Sequence, residues 1–258
     1  MCINKTTTIF YSPTKTSEKI AKAIAEGVSF GQSDVIDLTL DNFMTEIPVE
    51  DSLTIIVAPV YSGRIAPTAL ERIKRVKGKN APAIIVAVYG NRDYDDAIVE
   101  LYDTVVANGF TVLSAGAFIG EHSFSRQDMP IAKGRPDASD LQMARNFGAD
   151  SLKKLRDDKI PEKLKLKGNR PYLVPAALPP MAPVCTDWCV NDGMCITLCP
   201  TSAIHFDSDG NIATDATKCT LCCACVKGCP NNARIFDTPF TQQLHESCKE
   251  RKEPELFL

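Results

Sequence analysis

The feature that most constrains this chain is a doubled cysteine run. CTLCCACVKGCP, from Cys219 to Pro230, fits the spacing C-x2-C-x2-C-x3-C-P at every position, through Cys219, Cys222, Cys225 and Cys229. CVNDGMCITLCP, from Cys189 to Pro200, stands thirty residues earlier in the same register. There Cys189, Cys195 and Cys199 fall where thiolates belong, and Asp192 takes the second ligand position. Ala203 matches Ala233 beyond the two runs. Three thiolates on one tight loop reach three corners of a small iron–sulfur cube, and the fourth must come from elsewhere. The proline after the last cysteine fixes φ and turns the chain away from the cluster.

Disulfides and zinc fit this pattern less well. Nine of the eleven cysteines fall within 45 residues, in a metal-type pattern rather than spread through a scaffold. The opening MCINKTTTIFYS has no apolar signal-peptide core. Zinc sites usually pair two Cys-x2-Cys units across a longer gap. A reducing, cytoplasmic setting is expected. Basic residues, 29 in number, are balanced by 32 acidic ones, for a net charge of −3, so no nucleic-acid partner is indicated. No stretch approaches a membrane span.

Tandem runs of this kind mark a two-cluster ferredoxin domain, in which the fourth cysteine of each run serves the other cluster. One cluster would then take Cys219, Cys222, Cys225 and Cys199. The other would take Cys189, Cys195, Cys229 and one further group. Three readings of that group stand side by side. Asp192 binds the last iron weakly, since a hard carboxylate suits it less than a soft thiolate. Alternatively Cys185 swings in from four residues upstream, or the site holds a 3Fe–4S cluster. The match of CVNDGMC to C-x2-C-G-x-C, glycine included, points to Asp192. Cys2, Cys223 and Cys248 read as small buried hydrophobes, and Cys185 has the same plain reading.

The chain divides into four stretches: an α/β region over 1–158, a proline-rich linker over 159–184, the cysteine runs over 185–237, and a tail over 238–258. The linker should be extended and semi-rigid. The tail ends in apolar Leu256, Phe257 and Leu258, which either dock or fray. In the first region, Thr7–Tyr11, Val35–Leu38, Leu53–Ala58, Ala83–Tyr89 and Thr111–Ala117 are short apolar runs bounded by turn residues, as in a buried parallel sheet. Helices are expected between them and after them, over SEKIAKAIAEGV, PTALERIKRV, DYDDAIVELYDTVVANG and DASDLQMARNFGADSLKKL. Five strands with intervening helices predict a flavodoxin-like doubly wound parallel sheet, with its ligand at the carboxyl ends of the strands. A small α+β two-cluster domain would follow it.

The loops after those strands carry the chemistry. YSPTKTSEK puts four hydroxyls between a strand and a helix, where backbone N–H groups favour phosphate. Plain helix capping is the competing explanation. PVYSGRIAP and YGNRDYDD place tyrosines beside glycines on two further loops of the same edge. Exposed aromatics there could stack on a planar ring, which points to a flavin. His122, in a long loop after the fifth strand, has no assigned role, and His205 and His245 read as ordinary surface residues.

The amino-terminal part resembles flavodoxin. The whole chain is similar to flavodoxin–ferredoxin fusion proteins of anaerobic bacteria, through FYSPTKTSEKIAKAIA, APVYSGRIAP, VAVYGNRDYDDA, AFIGEHSFS, GRPDASDLQMARNFG and the two cysteine runs. The resemblance implies that Ser12, Thr14, Lys15, Thr16 and Ser17 hold an FMN phosphate. It makes Tyr61 and Tyr94 candidates to flank the isoalloxazine, with Tyr89, Gly90 and Asn91 on the neighbouring loop. Two departures stand out: Lys15 replaces the usual glycine, and Asp192 the usual cysteine. Lys15 would either add a charge-assisted phosphate contact or crowd the loop.

These readings predict an electron-transfer protein coupling FMN to two iron–sulfur clusters and passing electrons between redox partner proteins. Two alternatives remain: a flavin-dependent reductase of a small molecule fed by the clusters, with a closed pocket built from Glu121, His122 and Ser123, or a redox sensor using a labile cluster. No G-x-G-x-x-G is present, so direct nicotinamide use finds no support.

Overall fold

A computed structural model describes residues 3–176 and 178–258, so Cys2 lies outside the described residues. In chain order the first part comprises β1 (Lys5–Phe10), α1 (Thr16–Val28), β2 (Gln32–Asp37), β3 (Ile47–Glu50), β4 (Ser52–Tyr61) and β5 (Arg64–Ile65). It continues with α2 (Pro67–Ile73), β6 (Val76–Lys79), β7 (Pro82–Tyr89), α3 (Ala97–Ala107), β8 (Thr111–Ile119) and α4 (Ala138–Arg156). The rest comprises β9 (Val184–Cys185), α5 (Met194–Thr197), β10 (Ile204–Phe206), β11 (Ile212–Thr214), α6 (Ala224–Lys227), β12 (Arg234–Ile235), α7 (Pro239–Ser247) and β13 (Glu255–Phe257).

The order β2-β1-β4-β7-β8 is the doubly wound order in which the chain reverses direction across the sheet beside its first strand. All four pairings along it are parallel. Parallel strands are buried on both faces, and β7 accordingly shows eight buried residues in a row, PAIIVAVY. One face carries Ile20 and Ile24 of α1 with Ala144 and Phe147 of α4. The other carries Ala69 and Ile73 of α2 with Leu101 and Val105 of α3. The fold is therefore α/β and flavodoxin-like, with small strands in the cysteine-rich part.

Three features add to the sequence reading. The expected helix PTALERIKRV stops at Ile73, because Val76 starts β6, which pairs in parallel with β3. The tail docks: β13 adds to the sheet antiparallel to β8, with Leu256 opposite Gly116. Among its described residues up to Pro183 the linker forms no helix or strand, but it is tied to α3. Buried Asp96 accepts Asn169 N at 2.7 Å and Leu173 N at 2.7 Å, and Arg170 bonds Asp103 at 2.7 Å.

Candidate functional site

A cavity of about 620 Å³ opens at the carboxyl ends of β1, β4, β7 and β8, the edge where an open α/β sheet binds ligands. Its volume suits a cofactor-sized molecule. The strand-end loops supply Ser12 to Ser17, Pro59 to Arg64, Val88 to Gly90 and Gly120 to Phe124, with Lys15 absent from the lining. Three other parts of the chain complete the wall: linker residues Leu173 to Ala176, Thr220 and Leu221 from the second cysteine run, and Phe240, Gln243, Leu244 and Ser247 of α7.

The turn into α1 lines this cavity. The first N–H groups of a helix have no intrahelical acceptor, and the helix dipole is positive there. Ser12 Oγ takes one of them, accepting Glu18 N at 2.9 Å. Ser17 is fully buried at the cavity wall, and its hydroxyl has no partner among the described residues. An orphaned buried hydroxyl is costly unless a ligand satisfies it. Ser12, Thr14, Thr16 and Ser17 thus share one wall of the cavity. Lys15 does not join them. Its backbone is left-handed, at φ 66° and ψ 2°, and its exposed side chain reaches Glu18, Nζ to Oε2 3.1 Å. The turn therefore demands the conformation that glycine adopts freely.

Tyr61 and Tyr89 both line the cavity. The Tyr61 phenol is pushed well above its usual pKa, first by desolvation, then by the nearby Cys222, Tyr11, Cys223 and Cys219. Tyr61 thus stands between the cavity and the second cysteine run. The Tyr89 phenol is raised to about 12, by burial and then by Glu255. Gly90 passes directly beneath His122; a Cβ there would sit 2.3 Å from the His122 ring. His122 Nδ1 accepts Phe124 N at 3.0 Å, and desolvation, with Lys227 and Arg92 nearby, lowers its pKa to about 4. The ring is therefore neutral at pH 7.

Asn91 and Tyr94 are not brought to the cavity. Asn91 is buried and donates to Cys248 O at 2.9 Å and Glu250 O at 2.8 Å. Tyr94 is fully buried, and its hydroxyl donates to Glu255 at 2.7 Å. Both hold the tail in place. A tyrosine after a strand looks the same in sequence whether it meets solvent or a returning tail.

The cysteine runs fold as two matching loops. Ala203 N donates to Cys199 Sγ at 3.2 Å, and Ala233 N to Cys229 Sγ at 3.3 Å, which gives the repeated alanines a shared role. The residue before each short helix is left-handed, Gly193 at φ 73° and Cys223 at φ 57°. Cys199, Cys219, Cys222 and Cys225 border one small hollow. Burial pushes the Cys222 thiol up to about 12, and Cys225, Cys199 and Cys219 add to the rise. A fourth cysteine from the first run therefore sits among three of the second. Such thiols stay protonated unless a cation compensates them, so this donor set fits an iron–sulfur group. Among the described residues, no three His, Cys, Asp or Glu side chains close on a single metal ion. A cube of separate irons, each with its own thiolate, does not require that.

In the other loop, Cys195 has Cys185 and Cys189 as neighbours, which help to raise its pKa after burial and against Arg234. Asp192 is exposed, and its Oδ1 accepts Met194 N at 3.0 Å.

Arg72 links the two parts of the chain. It is 7% exposed and donates to Leu38 O at 2.9 Å, Thr39 O at 2.6 Å, Asn42 Oδ1 at 2.6 Å and Pro200 O at 2.6 Å. Its guanidinium also lies over the Tyr11 ring, 5.5 Å from the centroid. Lys227 adds bonds to Ser125 O at 2.6 Å and Glu121 at 3.3 Å. Phe124 stacks edge-on against Phe236, centroids 5.1 Å apart. Neither Arg72 nor Asp96 stands out in the sequence; a buried charge declares itself only through its partners.

No protein-family model matches the chain. An iron–sulfur subunit assigned to a dimethyl sulfoxide reductase of Halobacterium salinarum is 40% identical over 43 residues, 17% of this chain and 16% of that protein. A subunit of the selenate reductase of Mesobacillus selenatarsenatis is 37% identical over 62 residues, 23% of this chain and 21% of its own length. The chain thus spans a small fraction of these relatives. Among solved structures, a flavodoxin from the domain Archaea aligns over 59% of this chain and 99% of its own, at 15% identity and TM-score 0.38. Flavodoxin 1 of Bacillus cereus aligns over 58% and 98%, at 16% identity and TM-score 0.41. By its own strand order and cysteine loops, the chain joins a flavodoxin-like fold to a segment that fits a ferredoxin domain. No described helix is long and apolar enough to cross a membrane.

Proposed function

We propose that this protein transfers electrons between a flavin bound in the cavity and two iron–sulfur clusters held by the cysteine runs, on behalf of redox partner proteins. The observation that carries the proposal is the shared wall: Thr220 and Leu221, which lie between Cys219 and Cys222, line the same cavity as Ser12, Ser17 and Tyr61. FMN supplies one- and two-electron chemistry when bound, and the clusters supply single-electron steps. Ser12, Thr14, Thr16 and Ser17 would hold its phosphate at the start of α1. Tyr61 and Tyr89 would bound the ring, with Gly90 leaving room for His122 beside it. Cys219, Cys222, Cys225 and Cys199 would hold the cluster beside the cavity. Cys189, Cys195 and Cys229 would hold most of the other. The N–H groups of Ala203 and Ala233 bond cysteine sulfurs, a contact that raises a cluster's potential.

The α7 and linker residues over the cavity limit a partner protein's approach to the flavin. Electrons would therefore enter or leave at the cysteine-rich end, where Trp188 is 77% exposed next to Cys189. The same covering favours a second reading, in which a small molecule is reduced inside the cavity. Glu121, His122 and Ser123 all line it, and neutral His122 could donate a hydrogen bond from Nε2.

The test is anoxic reconstitution of the full chain with FMN, iron and sulfide, followed by a redox titration read by absorbance and EPR. The proposal expects stoichiometric FMN and two cluster signals in one molecule. Failure to retain FMN, or uptake of zinc in place of iron–sulfur, would refute it. Oxidation of the reduced protein by small planar acceptors, abolished by bulk placed at Ser123, would favour the reductase.

A further inference from the structure

The first cysteine run lacks a thiolate, and the fold brings one beside it. Cys185 lies on β9, whose partner β12 sets Arg234 opposite it. Arg234 is buried and fixes this strand through Pro183 O at 2.9 Å and Thr214 Oγ1 at 2.7 Å, while its Nη1 reaches Cys185 Sγ at 3.3 Å. Cys189 N donates to the O of Thr186, the residue after Cys185, at 3.0 Å, and Cys189 and Cys195 are the thiol neighbours of Cys185. The next residue, Thr186, donates its N–H to Ala233 O at 2.8 Å, and Ala233 N in turn donates to Cys229 Sγ. Cys185 therefore stands within the group of residues that surrounds Cys189, Cys195 and Cys229.

Asp192 occupies a different place. Its Oδ1 accepts Met194 N, the first residue of α5, so it preserves the turn. Cys222, its counterpart in the second run, is 8% exposed, whereas Asp192 is exposed to solvent. An exposed hard carboxylate competes poorly with a half-buried thiolate for iron in a sulfur cluster.

We propose that Cys185 supplies the fourth thiolate of the site formed by Cys189, Cys195 and Cys229, and that Asp192 only shapes the loop. The inference rests on the iron–sulfur reading above. On ligation the Cys185 S–H proton leaves to solvent as the sulfur–iron bond forms, with no change in oxidation state. The Arg234 guanidinium lies beside the resulting negative charge.

The test compares wild type, Cys185→Ser and Asp192→Asn, each full length and anoxically reconstituted with iron and sulfide, by iron analysis and by EPR of oxidised samples. Wild type should show no 3Fe–4S signal. Cys185→Ser should lose one iron per molecule and gain that signal, and Asp192→Asn should match wild type. A 3Fe–4S signal in Asp192→Asn but not in Cys185→Ser would overturn the proposal, as would one already present in wild type. If even wild type takes up no iron–sulfur, the parent reading itself fails, a result distinct from all of these. Should Cys185→Ser not fold, iodoacetamide labelling of wild type decides. Cys185 should be protected together with Cys189 when loaded and should react after chelation; labelling of Cys185 in loaded protein would overturn the proposal.

Discussion

Replacing Arg72 with alanine should destabilise the protein by about 3–5 kcal/mol, the cost of leaving some of its buried oxygen acceptors without a donor at about 1–3 kcal/mol each. The figure follows from its contacts. Arg72 makes four hydrogen bonds, to Leu38, Thr39, Asn42 and Pro200, and covers the face of Tyr11. Bonds to a charged donor contribute about 1.5–3 kcal/mol each, but water would reach some of the abandoned acceptors, so the full sum is not lost. The bond to Pro200 crosses to the residue that follows Cys199. Part of the loss therefore falls on the docking of the cysteine loops against the sheet. Arg72→Lys keeps the charge but not the fork, and should recover roughly half of the loss. Denaturant unfolding of the three proteins supplies the free energies. Hydrogen exchange at the Ala203 amide, which bonds Cys199, reports on the docking. A change below about 1 kcal/mol for Arg72→Ala, the size of an ordinary substitution, would refute the reasoning.

Three further outcomes are expected. Lys15→Gly removes left-handed strain of about 1–2 kcal/mol, offset by about 0.5–1 kcal/mol of glycine chain entropy, so the thermal midpoint should rise slightly and FMN affinity should not fall. A clear loss of affinity by fluorescence titration would mean that the Lys15 ammonium serves the phosphate. His122 has a folded pKa of about 4 against an ordinary 6.5, so the folded state binds fewer protons than the unfolded one between these values. Stability of the flavin-free protein should fall as pH drops through that window, and His122→Gln should flatten this limb of the curve. Asp137 is lowered to about 2, first by its bond from Arg251 and then by the Asp140 amide. Its contribution is full above pH 3.8 and is lost as pH falls toward 2, so the tail should lose protection from carboxypeptidase there first, and Arg251→Ala should remove the contrast.

The five parallel strands were legible because each carries a short apolar run beside turn residues, although the run at Val35–Leu38 covers only the second half of β2. The β3–β6 pair was not, since four-residue strands lack a period and Val76 also continues the helical pattern of α2. In the site, Ser12, Thr14, Thr16, Ser17, Tyr61, Tyr89 and Gly90 reach one cavity. Asn91 and Tyr94 went elsewhere because a tail roughly 160 residues downstream claims them, a contact no local pattern encodes. The left-handed backbone at Lys15 shows why that loop position favours glycine, which the residue alone conceals. His122 carries no local signature, and its place over Gly90 depends on a loop whose course only the fold fixes.

The central claim is that flavin and clusters exchange electrons within one molecule. Stopped-flow mixing of the loaded, oxidised protein with a one-electron reductant that reduces the clusters tests it directly. The account predicts that cluster bleaching is followed by flavin reduction at a rate independent of protein concentration. A flavin reduction rate that scales with protein concentration, or a flavin that stays oxidised while the clusters turn over, would contradict it.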